Sequence, residues 1–247
     1  MTHIDIGSRL ELLTDGYLID RMHGASLVLN SPAPQEVSIV YDEPWEGNTS
    51  GYETVLHDGG LYRMYYRGSH HPYGDNDDLG FQVTCYAEST DGINWTKPSL
   101  GLVDYEGSKD NNIIWEGVVS HNLSPVIDRN PDCAPDAKFK ALGGTGRKHG
   151  LYALKSADGI RWSLMSDEPV ITDGAFDSQN LAFWDTLRGE YREYHRDFKD
   201  GRDIKTSTSQ DFLNWTEPEW VGYTPGRGGE LYTNQVDPYY RAPHIFL

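Results

Sequence analysis

The sequence predicts an all-β protein, a β-propeller of about three blades plus one further strand. The first observation is composition: of 247 residues, 26 are glycine and 13 are proline, 12% are aromatic, and no stretch sustains a helical period. The second is a hairpin motif, S-x-D-[GF]-[IL]-x-W, at Ser89–Trp95, Ser156–Trp162 and Ser209–Trp215. The third is an upstream repeat that recurs in phase with it, at 50–58, 120–128 and 178–185, with a fourth copy beginning at Thr233. Two motifs repeating in step indicate propeller blades. A β-sandwich, the alternative, does not predict this phase relationship.

Each repeat unit is expected to hold four antiparallel strands. For the first unit these are 52–58, 61–68, 82–89 and 94–98. For the second they are 124–128, 138–144, 150–156 and 161–165, and for the third 180–185, 190–197, 203–209 and 214–218. In each hairpin, the Asp carboxylate is expected to accept backbone N–H groups of the turn.

These units divide a single domain, 1–247, and the repeat count leads us to expect either a fragment of a longer protein or a partial propeller completed by another chain. The predicted boundaries are an N-terminal extension at 1–40, blades at 41–100, 101–170 and 171–222, and the start of a fourth blade at 223–247. Two strand-like stretches, 10–20 and 25–30, lie within the extension. The chain ends on an apolar strand, so we expect an open sheet edge that permits self-association.

The net charge of the chain limits the kinds of partner that it is expected to bind. With 21 basic and 38 acidic residues the formal net charge is −17, which opposes nucleic acids and anionic membranes. No apolar run approaches the length of a membrane span, and the first residues lack the pattern of a signal peptide. As read, this indicates the cytoplasm, with secretion or a periplasmic location open if the N-terminus is not the native one.

Several segments together resemble the five-bladed β-propeller glycoside hydrolases of families 32, 43 and 68. Those segments are WEGNTSGYETV, CYAESTDGINWTKPSLGL, GSKDNNII, GAFDSQNLAFWD, HRDF and YTNQVDPYYRAPH. They look most like a bacterial group described as family-32-like. The resemblance extends from about Leu10 to the C-terminus and implies a fold of the five-bladed glycosidase type. It also implies a glycosidase that acts on an oligo- or polysaccharide through carboxylates at the propeller axis.

The carboxylates of that superfamily map only in part. The first-blade motif is replaced by Trp45–Gly51, with Ser50 about where the nucleophile would fall, and no acid lies near Ser120–Asn122. The third-blade motif matches Phe176–Ser178, which leaves Asp177 as the candidate proton donor. Glu53, in the first inner strand, is the candidate nucleophile, base or electrostatic partner. Local turn formation for Asp177 and a solvated rim position for Glu53 remain equally open.

Further candidates are polar or aromatic residues near the predicted axis. Asp197 is a possible third acid, and Arg196 could steady a carboxylate or uronate group, although a surface ion pair is the favoured alternative for both. A ring of hydrogen-bonding residues for a ligand, or else a polar, water-filled channel, is predicted from equivalent positions of three inner strands: His121, Asn122, Gln179, Asn180, Asn234 and Gln235. Trp45 and Tyr52 could stack on a sugar, Glu46 is a weaker carboxylate candidate, and Arg241 is a further polar one. Arg67 is expected at the surface.

No cofactor is predicted. An axial cation such as calcium has no supporting motif, and His121 alone is a weak metal ligand pattern. The acidic loop at 70–80 could bind a cation, with a solvated loop the favoured alternative.

Two alternatives to a glycoside hydrolase remain open from the sequence. One is a propeller that binds carbohydrate without catalysis, and the other is an inactive truncated homologue.

Overall fold

The computed structural model describes residues 3–13, 16–70, 80–145, 150–224, 226 and 228–247. The loop predicted as a cation site falls largely at 71–79, outside the described residues. In the described part of the chain there are twelve β-strands, two single-turn 3-10 helices and no α-helix, which confirms the all-β prediction. These residues contain no helix long and apolar enough to cross a bilayer.

The twelve strands form three antiparallel sheets of four strands each. The first contains β1 (Gly51–Asp58), β2 (Leu61–Ser69), β3 (Gln82–Ser89) and β4 (Ile113–Glu116); the second contains β5 (Ser124–Ile127), β6 (Phe139–Gly143), β7 (Tyr152–Ser156) and β8 (Ser163–Leu164); the third contains β9 (Leu181–Asp185), β10 (Glu190–Phe198), β11 (Arg202–Ser209) and β12 (Glu219–Trp220). The 3-10 helices are Val118–Ser120 and Pro135–Ala137. Each sheet runs in chain order from an inner to an outer strand.

The hairpin motif forms the turn after β3, β7 and β11. Oδ1 of Asp91 accepts N–H bonds from Ile93 and Asn94, both at 2.8 Å. The equivalent bonds at Asp158 and Asp211 are 2.7–2.8 Å long. The predicted turn chemistry is therefore confirmed in all three sheets, since a short polar side chain replaces the backbone partners that a turn lacks.

The outer edge of the first sheet differs from the prediction. The 94–98 segment makes only an isolated bridge, Glu88 to Thr96, and the fourth strand is Ile113–Glu116, which pairs with β3. The first sheet therefore extends beyond residue 100, the predicted end of the first blade. The two strands expected in the N-terminal extension are also wrong, because residues 3–13 and 16–46 contain no strand.

The sheets stack in chain order on apolar cores. Tyr65, Tyr86, Phe139 and Leu154 join the first sheet to the second. The second and third share a core that includes Phe176. Residues 39–45 cover the outside of the first sheet, and the C-terminal segment covers the third through Val236 and Phe246. Inner strands β1, β5 and β9 pack side by side, so the residues at their starts meet at one end of the molecule.

Candidate functional site

A cavity of about 310 Å³ lies where the inner strands begin. Its walls come from β1, from the second strand of the same sheet, from the residue pair before β9 and from the C-terminal segment. The lining residues are Ser50, Gly51, Tyr52, Glu53, Arg67, Gln179, Thr233 and Gln235. Tyr52, Glu53, Gln179 and Gln235, which the repeats predicted as site residues, therefore line one cavity.

Side-chain amides connect the walls of this cavity. Nε2 of Gln179 donates to Oγ1 of Thr54 on β1 at 2.7 Å, and Nε2 of Gln235 donates to Oε1 of Gln179. The first strand, the third sheet and the C-terminal segment are thus joined by a single line of hydrogen bonds. Gln179 is 2% exposed, and a buried amide of this kind fixes its neighbours because leaving it unpaired is costly.

Asp177 does not itself line the cavity; it lies two residues before Gln179, which does, and beside one donor from the turn before β5 and one from β10. Its Oδ1 lies 3.4 Å from Nε2 of His121, and its Oδ2 accepts from Nη2 of Arg196 at 3.3 Å. The interaction with His121, followed by the charge of Arg196, holds the pKa of Asp177 below its usual range despite partial burial. Asp177 is therefore an ionised carboxylate at neutral pH, with a side chain 57% exposed.

The protonation of His121 follows from its surroundings. Burial lowers the pKa of this histidine, so the ring is neutral at pH 7 and has one N–H. Nδ1 lies 3.0 Å from the side-chain amide of Gln82 and Nε2 faces Asp177. Both contacts are favourable when Nε2 carries the proton and the Gln82 amide turns its NH₂ group to Nδ1.

Arg67 is buried rather than at the surface, and that prediction is wrong. The residue is 8% exposed; Nη1 donates to Oδ1 of Asn122 at 2.9 Å, and Nη2 donates to the carbonyl of Thr49 at 3.3 Å. Its guanidinium lies 5.0 Å from the ring centre of Tyr52. Arg67 thus joins the first sheet to the His121–Asn122 turn that precedes the second.

Tyr52 contacts Arg67 directly and is connected to Arg196 through Tyr232. Burial, and then a hydrogen bond with Tyr232, raises the pKa of Tyr52 to about 12. Tyr232 in turn packs 4.8 Å from the guanidinium of Arg196. Tyr52 has φ 58°, a backbone conformation that costs energy outside glycine and is concentrated at functional sites.

Buried polar atoms without a partner concentrate in this region. Within the described residues, several buried side-chain atoms near the starts of the inner strands have no hydrogen-bond partner: Arg67 Nε, Asn122 Nδ2, Ser178 Oγ, Asn180 Oδ1, and Nε and Nη1 of Arg196. Native proteins leave few such groups unpaired, and each has a cost unless water or a ligand satisfies it. This excess of unpaired polar atoms is the strongest sign of a binding site in the described part of the chain.

Glu53 occupies the rim of the cavity. Its side chain is exposed, and Oε1 accepts from the hydroxyl of Tyr41 at 2.8 Å. The solvated position that the sequence left open for Glu53 is thus the observed one, although the residue still lines the cavity.

The side chains of Asn180 and Asn234 donate hydrogen bonds to backbone carbonyls. Asn180 Nδ2 donates to the carbonyls of Phe176 and Ser178, and Asn234 Nδ2 donates to that of Tyr194.

Glu46 and Trp45 are structural. Glu46 is fully buried, forms an ion pair with Lys97 at 2.8 Å and accepts from the hydroxyl of Tyr66 at 2.5 Å. Trp45 donates through Nε1 to Asn112 at 2.7 Å and packs edge-on against Tyr105. Neither residue lines the cavity, so the cavity gives no support to the ligand roles predicted for them.

Asp197 and Arg241 are also not brought to the cavity. Asp197 is 4% exposed and its Oδ2 lies 2.9 Å from Nζ of Lys205, so its carboxylate serves a buried ion pair. Arg241 is exposed and stacks on Tyr240 in the C-terminal hairpin. The sequence treated both as polar residues near an inner strand, but neither lines the cavity at the strand starts.

Four residues of this site were missed or misplaced by the sequence prediction: Thr54, Arg67, Gln82 and Tyr232. Thr54 and Tyr232 are neighbours in sequence of predicted site residues, which is the one pattern that could have found them. Gln82 and Arg67 lie on the third and second strands, where the inner-strand repeat gives no information. No group of three or more His, Cys, Asp or Glu in the described residues is placed to hold a metal ion.

A second cavity, of about 540 Å³, opens at the opposite ends of the same strands. Its lining includes Val55, Ile127, Phe183, Trp184 and Tyr239.

Comparison with known proteins gives distant likenesses. No family model matches the sequence. Two uncharacterized proteins of Mycobacterium tuberculosis, from strains CDC 1551 / Oshkosh and ATCC 25618 / H37Rv, are 31% identical over 134 residues. That match is 53% of this chain and 40% of each relative, so the chain spans well under half the length of the curated relatives it matches.

The solved structures that are similar to this chain at low identity include the following three. A glycosyl hydrolase from Bacteroides ovatus has a TM-score of 0.45 at 15% identity, covering 68% of this chain and 50% of the other. A family 117 glycoside hydrolase from Zobellia galactanivorans has a TM-score of 0.47 at 16% identity, with 69% and 45% covered. A fructofuranosidase variant from Schwanniomyces occidentalis has a TM-score of 0.46 at 16% identity, with 68% and 33% covered.

Proposed function

We propose that the cavity at the inner-strand starts binds a saccharide and that the protein hydrolyses a glycosidic bond there. The observation that carries the proposal is the ionised Asp177, held by His121 and Arg196 among buried donors without partners. Sugar hydroxyls are both donors and acceptors, so a ring of amide, imidazole and guanidinium groups suits them. The sequence resemblance to propeller glycosidases supports the same class.

The geometry favours a reversal of the roles expected for the two carboxylates. A proton donor must keep its proton at working pH, whereas His121 and Arg196 keep Asp177 ionised. We therefore assign Asp177 the anionic role beside the oxocarbenium-like transition state, as nucleophile or stabilising charge. Glu53, the carboxyl that lines the cavity, becomes the proposed proton donor to the leaving oxygen.

Binding without hydrolysis is the second candidate. It is favoured by the exposure of Glu53, whose carboxylate is hydrogen-bonded to Tyr41 rather than directed at Asp177. Glu46 and Asp197 cannot replace it, because each is buried and committed to an ion pair with a lysine. A carbohydrate-binding module would need the polar ring but not a second free acid.

A panel of oligo- and polysaccharides, scored for new reducing ends, tests the proposal. Wild type, Asp177→Asn and Glu53→Gln are compared, with Glu217→Gln, an exposed carboxylate away from the cavity, as the matched control. We expect turnover by wild type and the control, and a loss of about 10²-fold or more in Asp177→Asn and Glu53→Gln. If all four proteins bind a saccharide without turnover, hydrolysis is rejected and carbohydrate binding remains the proposed function. If folded wild type binds no saccharide, both functions are rejected.

The predicted blade boundaries, the five-bladed type and association through an open sheet edge remain proposals. Nothing in the described residues bears on them beyond the three sheets and their order.

A further inference from the structure

We propose that Arg67 anchors an anionic substituent of the saccharide, so that the ligand is an acidic sugar rather than a neutral one. This inference rests on the proposed saccharide site and names the class of ligand it takes. The carboxylate of a uronic acid, a sulfate ester and a phosphate ester share the required chemistry, which is an oxyanion carried by a sugar.

The first argument is that Arg67 lacks a counter-charge. Four basic side chains in the described residues are more than nine-tenths buried: Arg67, Lys140, Arg196 and Lys205. Lys140 is paired with Asp128, Lys205 with Asp173 and Asp197, and Arg196 with Asp177. Within the described chain, Arg67 has no carboxylate within ion-pair distance, only the neutral oxygens of Asn122 and Thr49.

A buried charge of this kind is expensive. Removing a guanidinium from water is costly unless an opposite charge compensates it, and two neutral acceptors do not neutralise it. Glu53 lines the same cavity, but its carboxylate is exposed and bonded to Tyr41. A site that keeps an uncompensated cation beside a cavity is arranged for an anion that arrives with the ligand.

The second argument is that unpaired hydrogen-bonding atoms cluster around Arg67. Nε of Arg67 has no partner, and neither does Nδ2 of Asn122, which is bonded to the same guanidinium through its other amide atom. Thr84, opposite Arg67 in the pairing of β2 with β3, also leaves its buried hydroxyl unpaired. Two donor atoms and a hydroxyl around one charge match an oxyanion with several acceptor positions better than a single sugar hydroxyl.

The third argument is the contrast with the charge of the whole chain. The net charge is −17, so the long-range field opposes anionic ligands. A neutral sugar would need no cation here, and the fold could place an uncharged donor at position 67 without the cost of burial. The retained guanidinium is therefore best explained by a local, short-range contact with a negative group.

The test compares matched sugars by isothermal titration calorimetry on the full chain. The panel holds oligogalacturonate and oligoglucuronate, their neutral galactose and glucose counterparts, and the sulfated and phosphorylated forms of those sugars. Proteins are wild type, Arg67→Gln, Arg67→Lys and the control Arg192→Gln, an arginine paired with Glu190 outside the cavity. We expect wild type and the control to prefer one acidic form over its neutral counterpart by about tenfold or more, as loss of a charged hydrogen bond implies.

In Arg67→Gln that preference should disappear, while Arg67→Lys, which keeps the charge but not the free Nε, should retain part of it. The acidic form that wild type prefers identifies the oxyanion. Equal affinity for acidic and neutral sugars in wild type would overturn this inference and leave the saccharide site standing. If Arg67→Gln fails to fold, the affinity of wild type for acidic and for neutral sugars still tests whether the site prefers an anionic ligand. Absence of any saccharide binding by folded wild type would instead reject the proposed function.

Discussion

Nη2 of Arg196 donates to Oδ2 of Asp177 at 3.3 Å, and this bond ties the second strand of the third sheet to the loop before its first strand. Arg196 is 3% exposed, whereas the side chain of Asp177 is 57% exposed. One partner of the pair is thus fixed in the protein and the other reaches into solvent. The arrangement keeps a negative charge available to a ligand while its position is set from within.

Replacing Arg196 with glutamine is expected to raise the pKa of Asp177 towards the unperturbed value of about 3.9, because a charged donor that favours the ionised form is lost. His121→Asn should do the same to a greater extent, since His121 contributes most to lowering it. Carboxyl chemical shifts followed by NMR between pH 2 and pH 7 measure both. An unchanged midpoint in both variants would mean that neither neighbour holds the carboxylate.

Gly174→Ala is expected to displace the loop that carries Asp177. A Cβ at Gly174 would lie 2.5 Å from Cε1 of Phe176 and 2.7 Å from Cδ2 of His195, and these buried rings have no room to move. Overpacking of this kind costs about 1–3 kcal/mol. Gly222→Ala is the matched control, since a Cβ at that position would meet nothing within 4 Å. Urea unfolding measures the free energy of unfolding of both variants. Equal values would show that the loop accommodates the added Cβ without a cost in stability.

Lys97→Ala is expected to destabilise the first sheet strongly. It leaves Glu46, which is fully buried, without the cation 2.8 Å from its carboxylate, and breaking a buried pair in this way costs about 3–5 kcal/mol. Lys97→Ala combined with Glu46→Gln should recover part of the loss, because no uncompensated charge remains. A double variant no more stable than the single one would argue that packing, not charge, is responsible.

The hairpin aspartates predict a dependence of stability on pH. Hydrogen bonds from the turn hold the pKa of Asp158 and Asp211 at about 2, against the opposing effect of partial burial. Their folded pKa is below the unfolded value of about 3.9, so their stabilisation is complete above about pH 4 and is lost as the pH falls towards about 2. Both carboxylates are partly exposed, which keeps the effect small.

Asp158→Asn tests this dependence. The difference in unfolding free energy between wild type and variant should be largest at pH 7 and should shrink between about pH 4 and pH 2. Asp158→Ala, which also removes the acceptor, should cost about 1 kcal/mol at pH 7. Urea denaturation at several pH values measures each. A difference that does not vary with pH would place the contribution in the neutral hydrogen bonds alone.

The local parts of this fold could be predicted from the sequence, because their chemistry is contained in a few consecutive residues. The Asp158 turn is one example: the carboxylate and the N–H groups that it accepts lie within three residues of each other. The strands of the second sheet and the first three strands of the third follow from the same spacing. The outer strand predicted at 214–218 is wrong, because Trp215 makes only an isolated bridge to Ser209 and β12 is Glu219–Trp220. In the first sheet, β4 was not predicted, because an irregular segment of more than twenty residues separates it from β3, the strand with which it pairs.

The candidate site was predictable only where it belongs to the repeat. Gln179 and Gln235 both belong to the polar pairs that the repeat marks on the inner strands, and they do meet. Glu46 was misassigned because its partner Lys97 is 51 residues away, and a carboxylate gives no local indication that it will be buried. Arg67 was misplaced because its burial depends on Asn122, 55 residues further along the chain.

The local order of the strands has a consequence for synthesis. Every sheet is built from a contiguous stretch, and some neighbouring strands, such as β1 and β2 or β10 and β11, are joined by only two or three residues, so the loop entropy opposing those hairpins is small. The first sheet can pair as soon as residue 116 has left the ribosome, before the second has been translated. Folding then proceeds by addition of one sheet at a time to a growing nucleus, and the site at the strand starts is completed last, when Gln235 emerges.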